Sequence, residues 1–423
     1  MWVFYHGLTP TTSAELINEV GQVHENDPIS VVLTCSAALP KSMGAMHPAG
    51  SLYEKPVNIM DTIRQHEKFK ELLRENGATV LDVKQVLSED TNKFVNARLD
   101  LENLAASMMT YQLDPTCDDR LLNKDDRYYL GNAYKAKVLS AMSASQLVDV
   151  ILTRPTVTLT PSLRDTGFTA AYQLFPLSNV VFTRDQQITT KKGVVMCNLS
   201  SKQRKAETEV MSFVWKKLGV KVIGEIPDPG RLEGGDFFAL GDSCMIGVGL
   251  RTNMEAIQYM MDEDLLGYNK IQVIKDELEV SQDRMHLDTY FSILDDHTVC
   301  VMEECLGEDS NTRRYVDEYV RKDENSSYEK VQSDVEFAQF LKNEGYGVIH
   351  IPGDYQLKYG CNCLNLGNGN VLCVHLPTAR MIAASPLFKG KIQYLDFDGI
   401  TALYGAAHCA SQVVRRIPRA GTK

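Results

Sequence analysis

The chain has 423 residues, of which 44% are apolar, enough for one large α/β domain with an insertion or for two or three ordinary domains. Its net charge is −11 and it carries no long basic block, which argues against nucleic acid or an anionic membrane surface as partner. A small cationic substrate remains compatible with that charge.

The chain opens with Met1-Trp2-Val3-Phe4-Tyr5-His6, which lacks a basic stretch ahead of a long apolar core, so no secretory leader is expected. No run of about 18 apolar residues follows, and no membrane span is expected. The ten cysteines then read as reduced thiols of a cytoplasmic protein, most of them small buried hydrophobes. Runs rich in Val and Ile predict strands at 29–35 and 79–83, with a helix at 61–76 between them. Residues 96–154 break this alternation and predict an all-helical insertion. There Leu101, Leu104 and Met108 fall at helical spacing. Ser143-Ala144-Ser145-Gln146 forms a capping box ahead of Leu147, Val150 and Ile151. Beyond it, strands are predicted at 180–183, 194–198, 220–226, 243–248, 271–274, 298–302, 347–351, 370–375 and 392–397. Helices are predicted at 202–218, 308–319 and 334–343, and 322–330 reads as a solvated loop. The recurrence predicts an α/β protein built from similar small units, forming a single domain over 1–423.

Five local constellations carry chemistry. Phe182-Thr183-Arg184-Asp185 ends an apolar run. Glu233-Gly234-Gly235-Asp236 sets a Gly pair, which permits close backbone approach, between two carboxylates. His286-Leu287-Asp288-Thr289 is predicted to enter a strand, where period two would aim His286 and Asp288 at one face. Asn365-Leu366-Gly367-Asn368-Gly369-Asn370 is a turn signal. Gly405-Ala406-Ala407-His408-Cys409 delivers a thiol on a small-residue loop. Each alone reads as a turn, a structural hydrogen bond or an inert buried thiol. The ordered set of acids, one histidine and one cysteine points to catalysis instead. Cys361 and Cys363 with His375 and His408 make a metal site conceivable, but neither a CxxC pair nor HExxH occurs, so no metal is expected.

This set resembles arginine deiminase, of the guanidino-group-modifying superfamily. The segments Leu52-Tyr53-Glu54-Lys55-Pro56 and Gln65-His66-Glu67-Lys68-Phe69 extend the resemblance over nearly the whole chain. It implies a five-bladed pseudo-symmetric α/β propeller and deimination of free L-arginine without a cofactor. It implies Cys409 as nucleophile, His286 as general acid and base, and Glu233 as the group that orients His286. It implies Asp185 and Asp288 as the guanidinium clamp. Asn179, Arg204 and Arg251 match positions that hold the substrate α-carboxylate, and Phe182 and Asp236 complete the implied substrate site. Two positions depart from the family pattern. Tyr404 stands where many arginine deiminases carry an arginine, and Ala410-Ser411-Gln412 replaces a Met-Ser after the cysteine. The latter, with His408, resembles agmatine deiminases.

The chemistry fits independently. A guanidinium is planar and always charged, so two fixed carboxylates match its fork and a thiolate is the suited nucleophile for its carbon. The alternatives are a deiminase of agmatine or protein arginine, a dimethylarginine hydrolase, an amidinotransferase, or a non-catalytic propeller. The expected partner is the small molecule L-arginine, with homo-oligomerisation left open.

Overall fold

The computed structural model describes residues 20–163 and 166–419. The opening Met1–His6 segment lies outside them. The fold is mixed α/β with six sheets among the described residues, and in five of them the chain runs from a central strand through a helix to a parallel neighbour. In each sheet a central strand runs antiparallel to one neighbour and parallel to the other.

In the first sheet Ile29–Thr34 is central, between Thr79–Asp82 (parallel) and Gln412–Arg416 (antiparallel). The second holds Val194–Met196 between Gln187–Thr189 and Val222–Glu225. The third holds Ser243–Val248 between Phe237–Leu240 and Lys270–Lys275. The fourth holds Thr298–Met302 between Phe291–Ile293 and Gly347–Ile351, and the fifth Asn370–Cys373 between Leu364–Gly367 and Lys391–Tyr394. The parallel pairs require crossovers, and helices supply them: Ile59–Glu75, Lys205–Lys217, Met254–Asp262, Phe337–Asn343 and Leu376–Ala384. The carboxyl-terminal strand pairs with the first, so the last sheet element returns the chain to its beginning.

The central and parallel strands match the sequence reading, as do the crossover helices Ile59–Glu75, Lys205–Lys217 and Phe337–Asn343, whereas Met254–Asp262 and Leu376–Ala384 were not expected. Four expectations about these elements fail, each for an identifiable physical reason. Residues 180–183 form a turn. Val180 and Phe182 donate backbone N–H groups to Leu177 and Asn179, and the amides of Gln186 and Gln187 take the carbonyls of Phe182 and Thr183. Buried apolar side chains there imitate a strand. The predicted helix 308–319 contains instead the start of strand Tyr315–Val320, which pairs antiparallel with Lys270–Lys275 and continues to Glu329–Glu336. Tertiary pairing of Tyr315, Val316 and Tyr319 overrides the helical spacing. The predicted loop 322–330 correspondingly ends inside that last strand.

The insertion is not wholly helical. It carries helices Val95–Met108, Lys124–Leu130, Asn132–Ser140 and Ala144–Thr153, with the Ser143–Gln146 capping box formed reciprocally. But Thr110–Leu113 is a strand alongside Pro155–Ser162, which pairs in turn with Gly167–Leu174. Four residues are too few for alternation to show in sequence. Helices Val95–Met108 and Ala144–Thr153 bury Leu101, Leu104, Met108, Leu147 and Ile151 in one core with Val31, Leu33 and Trp215. No described helix is long and apolar enough to cross a membrane.

Candidate active site

The antiparallel outer strands of the five sheets share a feature. Each is entered from a short irregular segment that bears polar or reactive side chains. Asp185 precedes Gln187–Thr189, and Glu233 and Asp236 precede Phe237–Leu240. His286 and Asp288 precede Phe291–Ile293, Asn362 precedes Leu364–Gly367, and Cys409 precedes Gln412–Arg416. Equivalent ends of the five sheets thus bring the site together.

The His286 segment is not a strand. Leu287–Tyr290 is a single helical turn, with His286 extended at its start. Asp236 Oδ1 accepts the Leu287 N–H at 2.8 Å, and Thr289 Oγ1 returns to the His286 carbonyl at 2.6 Å. These two bonds fix the turn, so both His286 and Asp288 are buried in the site without a period-two register. Thr252 Oγ1 holds the other Asp236 oxygen at 2.6 Å. Burial pushes the Asp236 carboxyl up to about 7 against the opposing charge of His286.

Glu233 Oε2 lies 2.8 Å from His286 Nε2, while Oε1 accepts the Ser200 N–H at 3.0 Å. Burial penalises both charges. The hydrogen bond and the charges of Glu233, Asp185 and Asp236 outweigh it at His286, whose pKa rises. At Glu233, His286, Arg204 and Arg251 outweigh burial, and the carboxylate stays ionised. The pair is therefore imidazolium–carboxylate near neutrality. The close packing needs Gly235: a Cβ there would stand 2.7 Å from His286 Nδ1. A Cβ on Gly234 would meet the Arg184 carbonyl at 2.0 Å.

Cys409 is 7% exposed, and its Sγ lies 3.5 Å from Asp288 Oδ2. Burial, then the charges of Asp288 and Asp185, push its pKa well above the ordinary thiol range. Asp288 Oδ2 also accepts His408 Nδ1 at 2.8 Å, with the His408 ring stacked on Phe238 at 4.9 Å. Burial and the nearby Arg184 hold that ring neutral, so Nδ1–H is the donor. Burial disfavours charge on Asp288 too, but the His408 bond and the surrounding His and Arg charges keep it ionised. Asp185 Oδ2 pairs with Arg204 Nη1 at 2.8 Å, and Arg204 also pairs with Glu207 at 2.9 Å. The remaining oxygens, Asp185 Oδ1 and Asp288 Oδ1, are buried and have no hydrogen-bond partner among the described residues.

A cavity of about 220 Å³ opens onto Cys409. Glu54, Met285, Lys358, Tyr359 and Tyr404 are among its walls. Tyr404 adopts φ +78°, an uncommon conformation for a side chain with a Cβ, and its hydroxyl bonds to Asp283 Oδ1. Of the residues singled out from sequence, Glu54, Thr289, Tyr404, Gly405 and Cys409 line this cavity, whereas Asp185, Glu233, His286 and Asp288 are buried and not among its walls. Arg251 bonds Gln282 at 3.0 Å and lies 3.7 Å from Glu233, and its buried Nε has no hydrogen-bond partner among the described residues. Asn179 donates to the Ser51 carbonyl at 2.9 Å. The Phe182 ring packs against Gly405, where a Cβ would stand 2.5 Å from Cε1. Asn362 was not singled out from sequence, yet its amide lies 3.3 Å from Cys409 Sγ. Among the described residues, no group of three or more His, Cys, Asp or Glu side chains is arranged to hold a metal ion.

The sequence model of the arginine deiminase family matches residues 50–416. The chain belongs to that family. It is accordingly a hydrolase acting on a guanidinium C–N bond. It is 23% identical to the arginine deiminase of Halobacterium salinarum, covering 93% of this chain and 96% of that one. It is 25% identical to the arginine deiminase of Staphylococcus aureus, covering 84% and 87%. Its fold is similar to an amidinotransferase from Microseira wollei of the saxitoxin biosynthetic pathway. That likeness has a TM-score of 0.54 and 13% identity, over 95% of this chain and 98% of that one. It is also similar to a dimethylarginine dimethylaminohydrolase in an adduct with S-methyl-L-thiocitrulline, with a TM-score of 0.50 and 14% identity over 91% and 99%.

Proposed function

We propose that the protein hydrolyses free L-arginine to L-citrulline and ammonia through a covalent thiouronium on Cys409. One observation carries this reading. Two buried carboxylates, Asp185 and Asp288, each keep one oxygen without a partner, beside a buried thiol. A buried carboxylate oxygen without a protein partner is open to a ligand donor, and a guanidinium is the ligand whose paired N–H groups fit two such oxygens. In the same reading the five sheets are blades of a pseudo-symmetric propeller with the site at one end of its axis.

The steps follow from charge. A bound guanidinium offsets the carboxylates that raise the Cys409 pKa, so the thiol proton leaves to solvent. Sγ then attacks the guanidinium carbon. Protonated His286 gives its proton to the departing nitrogen, and ammonia leaves. The neutral imidazole, held by Glu233, takes a proton from water, whose oxygen attacks the same carbon. The C–S bond breaks, citrulline departs, and Cys409 and His286 return to their starting forms. No metal or organic cofactor enters this scheme.

At the far end of the substrate, Arg251 is the carboxylate anchor, since its buried Nε is available. Asn179 and Arg204 have the supporting roles, with Arg204 also keeping one oxygen of Asp185 in place. Phe182 walls the aliphatic chain, and Asp236 braces the His286 turn. Parallel assays of ammonia release from arginine, agmatine and methylated arginines test the reading. No release from arginine, or equal release from agmatine, would overturn it.

A further inference from the structure

We infer that Asn362 is the hydrogen-bond donor that holds the Cys409 sulfur in its anionic form, a catalytic residue for the nucleophile proposed above. It rests on Cys409 being that nucleophile but not on which guanidino compound is the substrate.

The placement comes first. Asn362 enters the fifth sheet where Asp185, Glu233, His286 and Cys409 enter the others. It is 1% exposed. Its flanking residues, Cys361 and Cys363, belong to the apolar core beside Cys300 and Cys373, whereas the Asn362 side chain bonds to groups of the site.

The orientation of the amide follows from its partners. Oδ1 accepts the backbone N–H of His408 at 3.1 Å. Nδ2 donates to the backbone carbonyl of Asp288 at 3.0 Å. A backbone N–H can only donate and a carbonyl can only accept, so the amide has one possible orientation. The second hydrogen of Nδ2 then faces Cys409 Sγ at 3.3 Å. Asn362 can give a hydrogen bond to sulfur and cannot take one.

Sulfur has a second partner with the opposite preference. Asp288 Oδ2, 3.5 Å away, accepts from the thiol and repels the thiolate. Asp288 thus favours the resting thiol, and Asn362 favours the reactive anion. When a guanidinium pairs with the free Oδ1 of Asp288, its charge offsets the carboxylate that opposes ionisation of sulfur, while the Asn362 donor remains. Two rigid backbone anchors keep Nδ2 in position through attack and through release of sulfur in the second step, so no reorganisation is needed at either.

The test is the pH dependence of Cys409 alkylation by iodoacetamide in the full-length protein, followed by mass spectrometry of the Cys409 peptide. In Asn362→Ala, alkylation near neutrality is expected to slow about 10–100-fold, the worth of a hydrogen bond to a charged group. The profile moves to higher pH, and kcat falls with KM nearly unchanged. Asn362→Asp keeps an acceptor for His408 but sets a carboxylate against sulfur, and is expected to slow alkylation further. It serves as the near-isosteric check if the alanine protein folds poorly. A folded variant whose alkylation profile superposes on wild type would overturn the inference and leave Asn362 as a clamp between two backbone groups. Because alkylation needs no turnover, an Asn362-dependent profile in a protein inert toward arginine would uphold this inference while removing the substrate assignment.

Discussion

Glu233→Gln isolates the element that sets the acid strength of His286. Glutamine keeps the side-chain length and an oxygen for the Ser200 N–H, but removes the charge 2.8 Å from His286 Nε2. A hydrogen bond to a charged group is worth about 1.5–3 kcal/mol. That equals about 1–2 pKa units on the imidazole. Asp185 and Asp236 still favour the proton, so the pKa falls part of the way toward an ordinary histidine. The acid form is filled below the pKa and empties above it. The alkaline fall of kcat is therefore expected to begin about 1–2 pH units lower in the variant. Stability carries the same sign. The raised pKa of His286 adds stability that is complete below the ordinary imidazole value of 6.5 and is lost as pH climbs through the folded value. The lowered pKa of Glu233 adds stability that is present above its ordinary 4.5 and lost as pH falls through the folded value. The variant should differ most from wild type between these ordinary values and least at the alkaline end. Ammonia release measured across the neutral and alkaline range, with thermal midpoints on the same buffers, checks both. An alkaline limb that stays in place would show that Glu233 does not tune His286.

Cys409→Ala is expected to keep its thermal midpoint and lose essentially all turnover, and quenched wild type should carry an adduct on the Cys409 peptide that the variant lacks. Asp185→Asn and Asp288→Asn each remove half of the proposed guanidinium clamp. Breaking a buried pair costs about 3–5 kcal/mol, so kcat/KM should drop by orders of magnitude in a folded protein, and near-wild-type activity would leave that residue a structural carboxylate. Arginine should exceed agmatine by at least about 10²-fold in kcat/KM, a discounted polar-mismatch penalty. Arg251→Ala should shrink this ratio through arginine alone, and a ratio indifferent to Arg251 would remove it as carboxylate anchor. Gly405→Ala places a methyl on the Phe182 ring and should cost about 1–3 kcal/mol of stability, read as a lower thermal midpoint.

How much of this was legible depended on length scale. The central and parallel strands carry enough Val and Ile to register, so 243–248, 298–302 and 347–351 match the structure closely, but the nine-residue crossover helices Met254–Asp262 and Leu376–Ala384 went unseen. The antiparallel outer strands are three to five residues long and follow irregular segments, and Gln187–Thr189, Phe291–Ile293 and Leu364–Gly367 left no pattern. Those irregular segments hold the site, which was visible through the types of residue there rather than through their predicted conformation. His286 and Asp288 were paired for a strand register that does not exist; a helical turn braced by Asp236 brings them together. Asn362 was passed over because it lies between two cysteines that drew the metal question. Its chemistry comes from partners 46 and 47 residues away, which no local pattern could reveal.

In the proposed mechanism the electrostatics of the site also explain why Cys409 need not be permanently ionised. Burial raises the Cys409 pKa, and Asp288 and Asp185 add to it, so without a bound cation the sulfur is a thiol. The cations already present are committed: Arg204 to Asp185 and Glu207, and His286 to Glu233. Arg184, buried beside Cys409, binds the His408 carbonyl through Nε and offsets Glu25 and Asp288. A further negative charge on sulfur needs a further positive charge next to it. In that mechanism the substrate brings the charge in the same guanidinium whose carbon is to be attacked, and sets it against the carboxylates that oppose ionisation. Arming the thiol and binding the substrate then become one event, and the same carboxylates that keep sulfur inert in the empty site position the electrophile in the filled one.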